Sequence, residues 1–171
     1  MSGNRRKKTS PVLIFLYGAA LAVVAADQFT KFLIVSHFAH GDSLPLVPGV
    51  FHLTLVFNTG IAFGMFNNNP QLLLAVITLS IAVLAYYAPR LAGSGFYTSA
   101  AMALILGGAV GNWIDRMRVH AVIDFLDFRI WPVFNLADTA ISIGVGLLIL
   151  KFITEKPAGA DSDKPDEKRA S

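Results

Sequence analysis

The chain has 171 residues and a formal net charge of +3; 54% of its residues are hydrophobic and only 15% are charged. A soluble domain carries about 25% charged residues, so this composition excludes an ordinary soluble globular protein and points to the membrane. Basic residues gather near the start (NRRKK) and in the C-terminal tail without interleaved aromatics, which argues against nucleic acid as a partner, and the absence of cysteine excludes disulfides, thiolate nucleophiles and Cys-based metal sites.

A membrane-crossing helix needs about 17–25 predominantly apolar residues. The first such stretch predicts a helix over residues 12–35: it is uncharged up to Ala26 and resumes after Lys31 with FLIV. A cleaved secretory signal peptide with VVAAD at its processing site is the competing reading. The apolar character beyond Asp27 favours a retained helix. Asp27 and Lys31 stand at i and i+4 with the acid first, the favourable order for an intrahelical ion pair, and read as a buried pair that fixes helix packing.

In residues 36–69, VFHLTLVF alternates: Phe51, Leu53, Leu55 and Phe57 point one way and His52, Thr54 and Val56 the other. That is the period of a strand. NTG follows as a turn in which Gly60 is free to take a positive φ. The expectation is a small β element over about 43–66, lying on the membrane surface with aromatics at headgroup depth. His37, His40, His52 and His120 show no metal-ligand spacing, so no metal and no cofactor are expected.

The next two helices are predicted over residues 70–88 and 96–115. The latter ends in LGGAVGNWIDR, where Gly107 and Gly111 form a GxxxG pair and Gly108, Asn112 and Arg116 stand four apart. The glycines read as a packing face that lets another helix approach. Asn112, Asp115 and Arg116 read either as polar glue between helices or as support for a site. Residues 116–132 contain VIDFLDFRIWPVF, expected to dip into the membrane interface and to carry Asp124, with Asp127 as an interfacial charge of little consequence.

The fourth helix is predicted over residues 134–153. Asn135 and Asp138 have the spacing of an N-cap and its N3 partner, so Asp138 reads as a capping carboxylate. The competing reading is functional, because ionisable residues at membrane depth are functional suspects and Asp124 arrives from a loop on the same side. Two close carboxylates cannot both ionise easily and share a proton. The ionised one can take a proton from water while the protonated one donates to a carbonyl, the arrangement of aspartic proteases. The sequence has no HExxH and no GxSxG.

Orientation follows from Lys and Arg. Arg5, Arg6, Lys7, Lys8, Arg90, Lys151, Lys156, Lys164, Lys168 and Arg169 fall on one side, against Arg116, Arg118 and Arg129 on the other. Both termini are expected in the cytoplasm and residues 36–69 and 116–132 outside. The fold class expected is an all-α membrane protein of four transmembrane helices with a small extracytoplasmic β element. Residues 1–153 form its single domain, and 154–171 a disordered cytoplasmic tail.

Five segments taken together, DQFTK (27–31), FNTGIAFG (57–64), GGAVGNWIDR (107–116), VIDF (122–125) and FNLADTAISIG (134–144), resemble the lipoprotein signal peptidases (signal peptidase II), membrane aspartic proteases of bacteria. The resemblance covers nearly all of residues 27–144. Ile61 departs from it, standing where the family usually has alanine. The resemblance implies that Asp124 and Asp138 are the catalytic pair. It implies that Asn58, Gly60, Gly108, Asn112, Arg116 and Asn135 surround and support the site, and it places Asp27, Lys31 and Asp115 at family positions of structural character. It also implies a substrate, a prolipoprotein whose cysteine carries a diacylglyceryl group and which is cut just before that cysteine. Further implications are lipid contacts, inhibition by globomycin, a monomer, and a place in the bacterial inner membrane with the active site near its outer face. The rival function is a small proton-coupled transporter using Asp27, Asp115 and Asp138 as a relay, for which the sequence shows no internal repeat.

Overall fold

The computed structural model describes residues 11–59 and 70–154. In chain order its elements are α1 (Pro11–His37), β1 (Ser43–Val47), β2 (Phe51–Asn58), α2 (Pro70–Ala92), α3 (Phe96–Val119), β3 (Val122–Asp127) and α4 (Leu136–Thr154). Lipid offers no hydrogen bonds, so an apolar run at membrane depth must satisfy its backbone internally, as a helix does. α1, α2 and α4 are long and apolar enough to cross a membrane. Their outward faces expose Leu21, Phe29, Phe32, Leu79, Ile143 and Phe152, an apolar coat that a protein in water does not carry. The chain is an integral membrane protein.

α3 is the helix that the other three pack around. It buries Ala101, Met102, Leu106, Gly107, Gly108, Gly111, Asn112 and Asp115 among others. Enclosed by its neighbours, it needs less apolar surface of its own, which is why it tolerates glycine and polar side chains. Leu16 and Ala20 of α1, Ala88 and Ala92 of α2, and Met102, Ala103 and Leu106 of α3 form the larger buried cluster. The glycines set the spacing. A Cβ on Gly107 would lie 2.6 Å from the Ala20 carbonyl oxygen of α1, and one on Gly144 would lie 2.8 Å from the Ala101 carbonyl oxygen of α3. A Cβ on Gly108 would strike the Ala137 carbonyl oxygen at the start of α4.

The three strands form one antiparallel sheet in the order β1-β2-β3. Its inner face is fixed to the end of α1 by Ile34, Leu55 and Phe125, with Phe38, Leu53, Phe57 and Ile123 around them. The alternation in VFHLTLVF thus becomes β2. β3 is a strand where the sequence reading foresaw only an interfacial dip: VIDFLD pairs along β2, with Asp124 opposite Val56 and Phe57 opposite Ile123. After β3 the chain turns back on itself. Arg129 takes a left-handed conformation (φ 65), and Phe134 bridges to Leu126.

Asp127 holds that turn, which corrects its reading as an interfacial charge. It is 4% exposed and accepts hydrogen bonds from the Arg129 backbone N–H (2.8 Å), the Arg129 guanidinium (3.0 Å) and the Thr54 hydroxyl (2.8 Å). Burial pushes its carboxyl up, but these bonds and the Arg129 charge outweigh that and hold it below the usual carboxylate range. Two further bounds differ from expectation: α2 continues through Pro89 to Ala92, and α3 continues to Val119, so Arg116 and Arg118 are helical.

Gly108→Ala forces α4 away from α3 and should destabilise the purified protein by about 1–3 kcal/mol. Gly146→Ala, where an added Cβ meets nothing within 4 Å, should leave thermal stability unchanged or raise it by a few tenths of a kcal/mol. Melting curves in one detergent decide, and equal effects of the two substitutions would refute the close α3–α4 approach.

Candidate active site

The site is built at the end of the bundle where α1 and α3 finish, α4 begins and the sheet attaches. Asp124 is carried by the middle of β3 and is 1% exposed. Asp138 stands in the first turn of α4, half-buried. The return of the chain after β3 brings Asn135 alongside Asp124, and the start of α4 then sets Asp138 one turn further on.

Asn135 joins the two acids. Its side-chain amide donates to Asp124 Oδ1 at 2.7 Å, while its Oδ1 accepts from the Asp138 backbone N–H at 2.9 Å and its own backbone N–H faces Asp138 Oδ2 at 3.3 Å. That exchange is a reciprocal helix cap, so the capping reading of Asp138 is correct. It does not exclude a second role, because Asp138 Oδ1 accepts from Asn112 Nδ2 at 2.7 Å. Asn58, at the end of β2, donates to Asp124 Oδ2 at 2.9 Å. Both oxygens of each carboxylate are therefore held by amide donors.

Asn112 also accepts, and its acceptors explain its orientation. Its Oδ1 takes hydrogen bonds from Asn135 Nδ2 and from Lys31 Nζ, both at 3.0 Å. An ammonium can only donate, so Lys31 turns the amide oxygen inward and leaves the NH₂ for Asp138. The same ammonium lies 2.8 Å from Asp27 and 2.7 Å from Asp115. Its three N–H bonds thus have three acceptors, and Lys31 is 1% exposed. Asp27 Oδ1 accepts from the Ala137 backbone N–H at 3.0 Å, and Asp115 Oδ2 from the Ile123 N–H at 3.2 Å. The predicted i,i+4 pair is present. Its third member, Asp115, and its contacts with α4 and β3 depend on helix crossings that sequence spacing does not give.

Gln28 was not singled out from the sequence, although it lies inside DQFTK. Its amide donates to Asp27 (3.2 Å), to the Gly111 carbonyl (3.1 Å) and to Asp115 (2.9 Å), bracing the ion cluster. Arg116 donates to the Asn112 carbonyl at 3.2 Å, and its buried Nε has no hydrogen-bond partner. Gly108 and Gly111 bring α3 against Ala137 and Asp27 respectively. Gly60 lies outside the described residues. Among the described residues no group of three or more His, Asp or Glu side chains is arranged to hold a metal ion.

Burial pushes the Asp124 carboxyl up to about 6; the Asn58 hydrogen bond opposes this, the neighbouring Asp138 charge adds to it, and the Asn135 bond and the Lys31 charge oppose it. An apolar groove of about 330 Å³ runs between α1 and α4, lined by Val23, Ala26, Leu136, Thr139, Ala140 and Ile143. A buried acid whose carboxyl is pushed upward, a second acid half open at the end of the bundle and an apolar groove along the helix that carries it make a setting for hydrolysis at a membrane surface.

Similarity to known proteins points the same way. The family model described as "Signal peptidase (SPase) II" matches residues 19–154. The chain is 42% identical over 144 residues to the lipoprotein signal peptidase of Halothermothrix orenii, spanning 84% of this chain and 99% of that one. It is 46% identical over 147 residues to the lipoprotein signal peptidase of Moorella thermoacetica, spanning 85% and 96%. A solved structure described as a bacterial membrane enzyme, determined by the in meso method at 1.9 Å resolution, superposes with a TM-score of 0.75 at 30% identity, covering 82% of this chain and 94% of that one.

The titration of Asp124 has a predictable sign. Its carboxyl, followed by carbon-13 shift in labelled protein and identified by its loss in Asp124→Asn, should titrate near pH 6. Asp138→Asn removes the like charge and should lower the midpoint. Asn58→Leu removes a donor to the ionised form and should raise it. An unchanged midpoint in both variants would mean that neither neighbour acts on Asp124.

Proposed function

This chain belongs to the signal peptidase II family, and we propose that Asp124 and Asp138 are the acids with which it cuts its substrate. It is a membrane protease that removes signal peptides from prolipoproteins. The observation that supports the assignment is Asn135: its side chain bonds the Asp124 carboxylate and the Asp138 backbone N–H, its own N–H faces the Asp138 carboxylate, and one residue so holds acids from two separate elements at one point.

The chemistry follows from the geometry. Burial favours the neutral form of Asp124, so Asp124 carries the shared proton and Asp138 is the base. Asp138 takes a proton from water, whose oxygen attacks the scissile carbonyl carbon, and Asp124 gives its proton to the carbonyl oxygen. In the second step Asp138 returns its proton to the leaving nitrogen and Asp124 recovers one from the diol as the C–N bond breaks. The products are the carboxyl terminus of the signal peptide and the free amino group of the cysteine. Asn58, Asn112 and Asn135 keep the acids in place through both steps. Arg116, one turn beyond Asn112, positions the peptide. Lys31, Asp27 and Asp115 position Asn112 and the start of α4, and Gly108 permits that approach.

The substrate cysteine carries a diacylglyceryl group and cleavage falls just before it, with an acyl chain lying in the apolar groove between α1 and α4. α3 is the fourth span: its 24 residues extend about 36 Å, more than the ~30 Å hydrocarbon core. Residues 1–153 make one peptidase domain and 154–171 a cytoplasmic tail. The Lys and Arg distribution puts both termini in the cytoplasm and the site at the outer face of the inner membrane. The enzyme works as a monomer and is blocked by globomycin. The transporter reading has no observation in its favour, since the acids converge at one end of the bundle instead of lining a path across it.

Purified enzyme in lipid nanodiscs should cut a prolipoprotein carrying diacylglyceryl-cysteine and leave the unlipidated form intact, with the new terminus at the cysteine by mass spectrometry and with globomycin blocking the reaction. Equal cleavage of both forms would contradict the lipid requirement.

A further inference from the structure

Next to the acids is a cleft of about 270 Å³ lined by Thr59, Gln71, Leu73, Leu74, Arg116 and His120. Each polar member is tied to the site or to the bundle end. Thr59 follows Asn58, which holds Asp124. Arg116 is one helical turn beyond Asn112, which holds Asp138. Gln71 stands at the start of α2 and His120 caps the end of α3. Along α3 the order Asn112, Arg116, His120 climbs from the level of Asp138 toward the end of the bundle, about 6 Å per turn of four residues. The cleft therefore lies on the outward side of the acids.

A prolipoprotein reaches the acids from the membrane through its signal segment, and its mature part leaves outward. The part that passes over this cleft follows the cysteine. Among the described lining residues the one permanently charged side chain is the Arg116 guanidinium, which can only donate, while the Gln71 amide, the His120 imidazole and the Thr59 hydroxyl can each donate or accept. Leu73 and Leu74 supply apolar wall and no acceptor side chain.

We propose that this cleft is the subsite for the residue immediately after the lipidated cysteine and that it selects side chains that accept hydrogen bonds, carboxylate or amide, over a cationic one. The inference rests on the proposed cleavage just before that cysteine. A short acceptor meets the Arg116 guanidinium and the Gln71 amide, whereas a lysine ammonium meets a guanidinium and, among the described lining residues, finds no side-chain carboxylate. Electrostatic matching of this kind acts mainly by rejecting the wrong partner.

The test uses synthetic diacylglyceryl prolipopeptides that differ only after the cysteine (Asp, Asn, Ala or Lys) and a second set that differs only before it. kcat/KM for Asp and Asn should exceed that for Lys by about tenfold, the scale of one charge-assisted hydrogen bond. His120→Gly keeps the left-handed backbone of the cap, where His120 has φ 58, and removes only the imidazole. His120→Gly and Gln71→Leu should each shrink the Asp-to-Lys ratio at least threefold while turnover of the Ala peptide stays unchanged, and neither should alter preference before the cysteine. If one variant does not fold, the other and the wild-type ratio decide. Equal rates for Asp, Asn and Lys, or a variant effect confined to the position before the cysteine, would overturn the subsite. Failure to cut any lipidated peptide would instead overturn the cleavage reading on which it rests.

Discussion

One ammonium group organises this protein. Lys31 lies out of contact with water and with lipid, between Asp27 on its own helix and Asp115 and Asn112 on α3. A buried charge is tolerated only when paired and hydrogen-bonded, and here all three donors are used. The consequences run outward from that point. Asp27 fixes the first turn of α4 through the Ala137 N–H, Asp115 fixes β3 through the Ile123 N–H, and Asn112 is turned so that its NH₂ faces Asp138. Three elements that each carry part of the site are registered to one cation. Removing only Lys31 would leave two carboxylates unpaired, a defect of about 3–5 kcal/mol.

The membrane makes such a cluster effective. In water an exposed ion pair contributes little, but the apolar coat of α1, α2 and α4 keeps water and salt away from Lys31. The glycines of α3 are part of the same device, because they let α1 and α4 come close enough for short side chains to bond across the crossings. Asp124 and Asp138 sit at the edge of this dry region. Asp124 is enclosed, which favours its neutral form, while Asp138 is half-buried, so two chemically identical side chains become unequal.

The helices were legible because an apolar run of bilayer length has few other fates. Asp27–Lys31 was legible because i,i+4 spacing is local, and the Asn135–Asp138 cap for the same reason. Lys31–Asp115, Asn112–Asp138 and Asn58–Asp124 were not readable from spacing, since each depends on where two elements cross; resemblance to a known family brought those residues together instead. VIDFLD alternates as a strand does, but with two acids among bulky apolar residues it read as an interfacial segment, and its pairing with β2 is tertiary. Asp127 was misread for a related cause: a carboxylate three residues from Asp124 gives no local sign that it holds a return turn. The number of spans is where composition alone stops, because α3 is polar enough to fall short of the apolar threshold that its three neighbours meet.

The central claim is that Asp124 and Asp138 act as one catalytic unit. Turnover of a lipidated prolipoprotein by Asp124→Asn, Asp138→Asn and the double variant, each checked for wild-type thermal stability, tests it most directly. Asparagine keeps the size and much of the hydrogen bonding of aspartate but cannot cycle a proton. Each single variant should lose cleavage by several orders of magnitude, and the double variant should be about as inactive as either one. Near-normal turnover in a stable single variant, or losses that multiply in the double variant, would contradict the account.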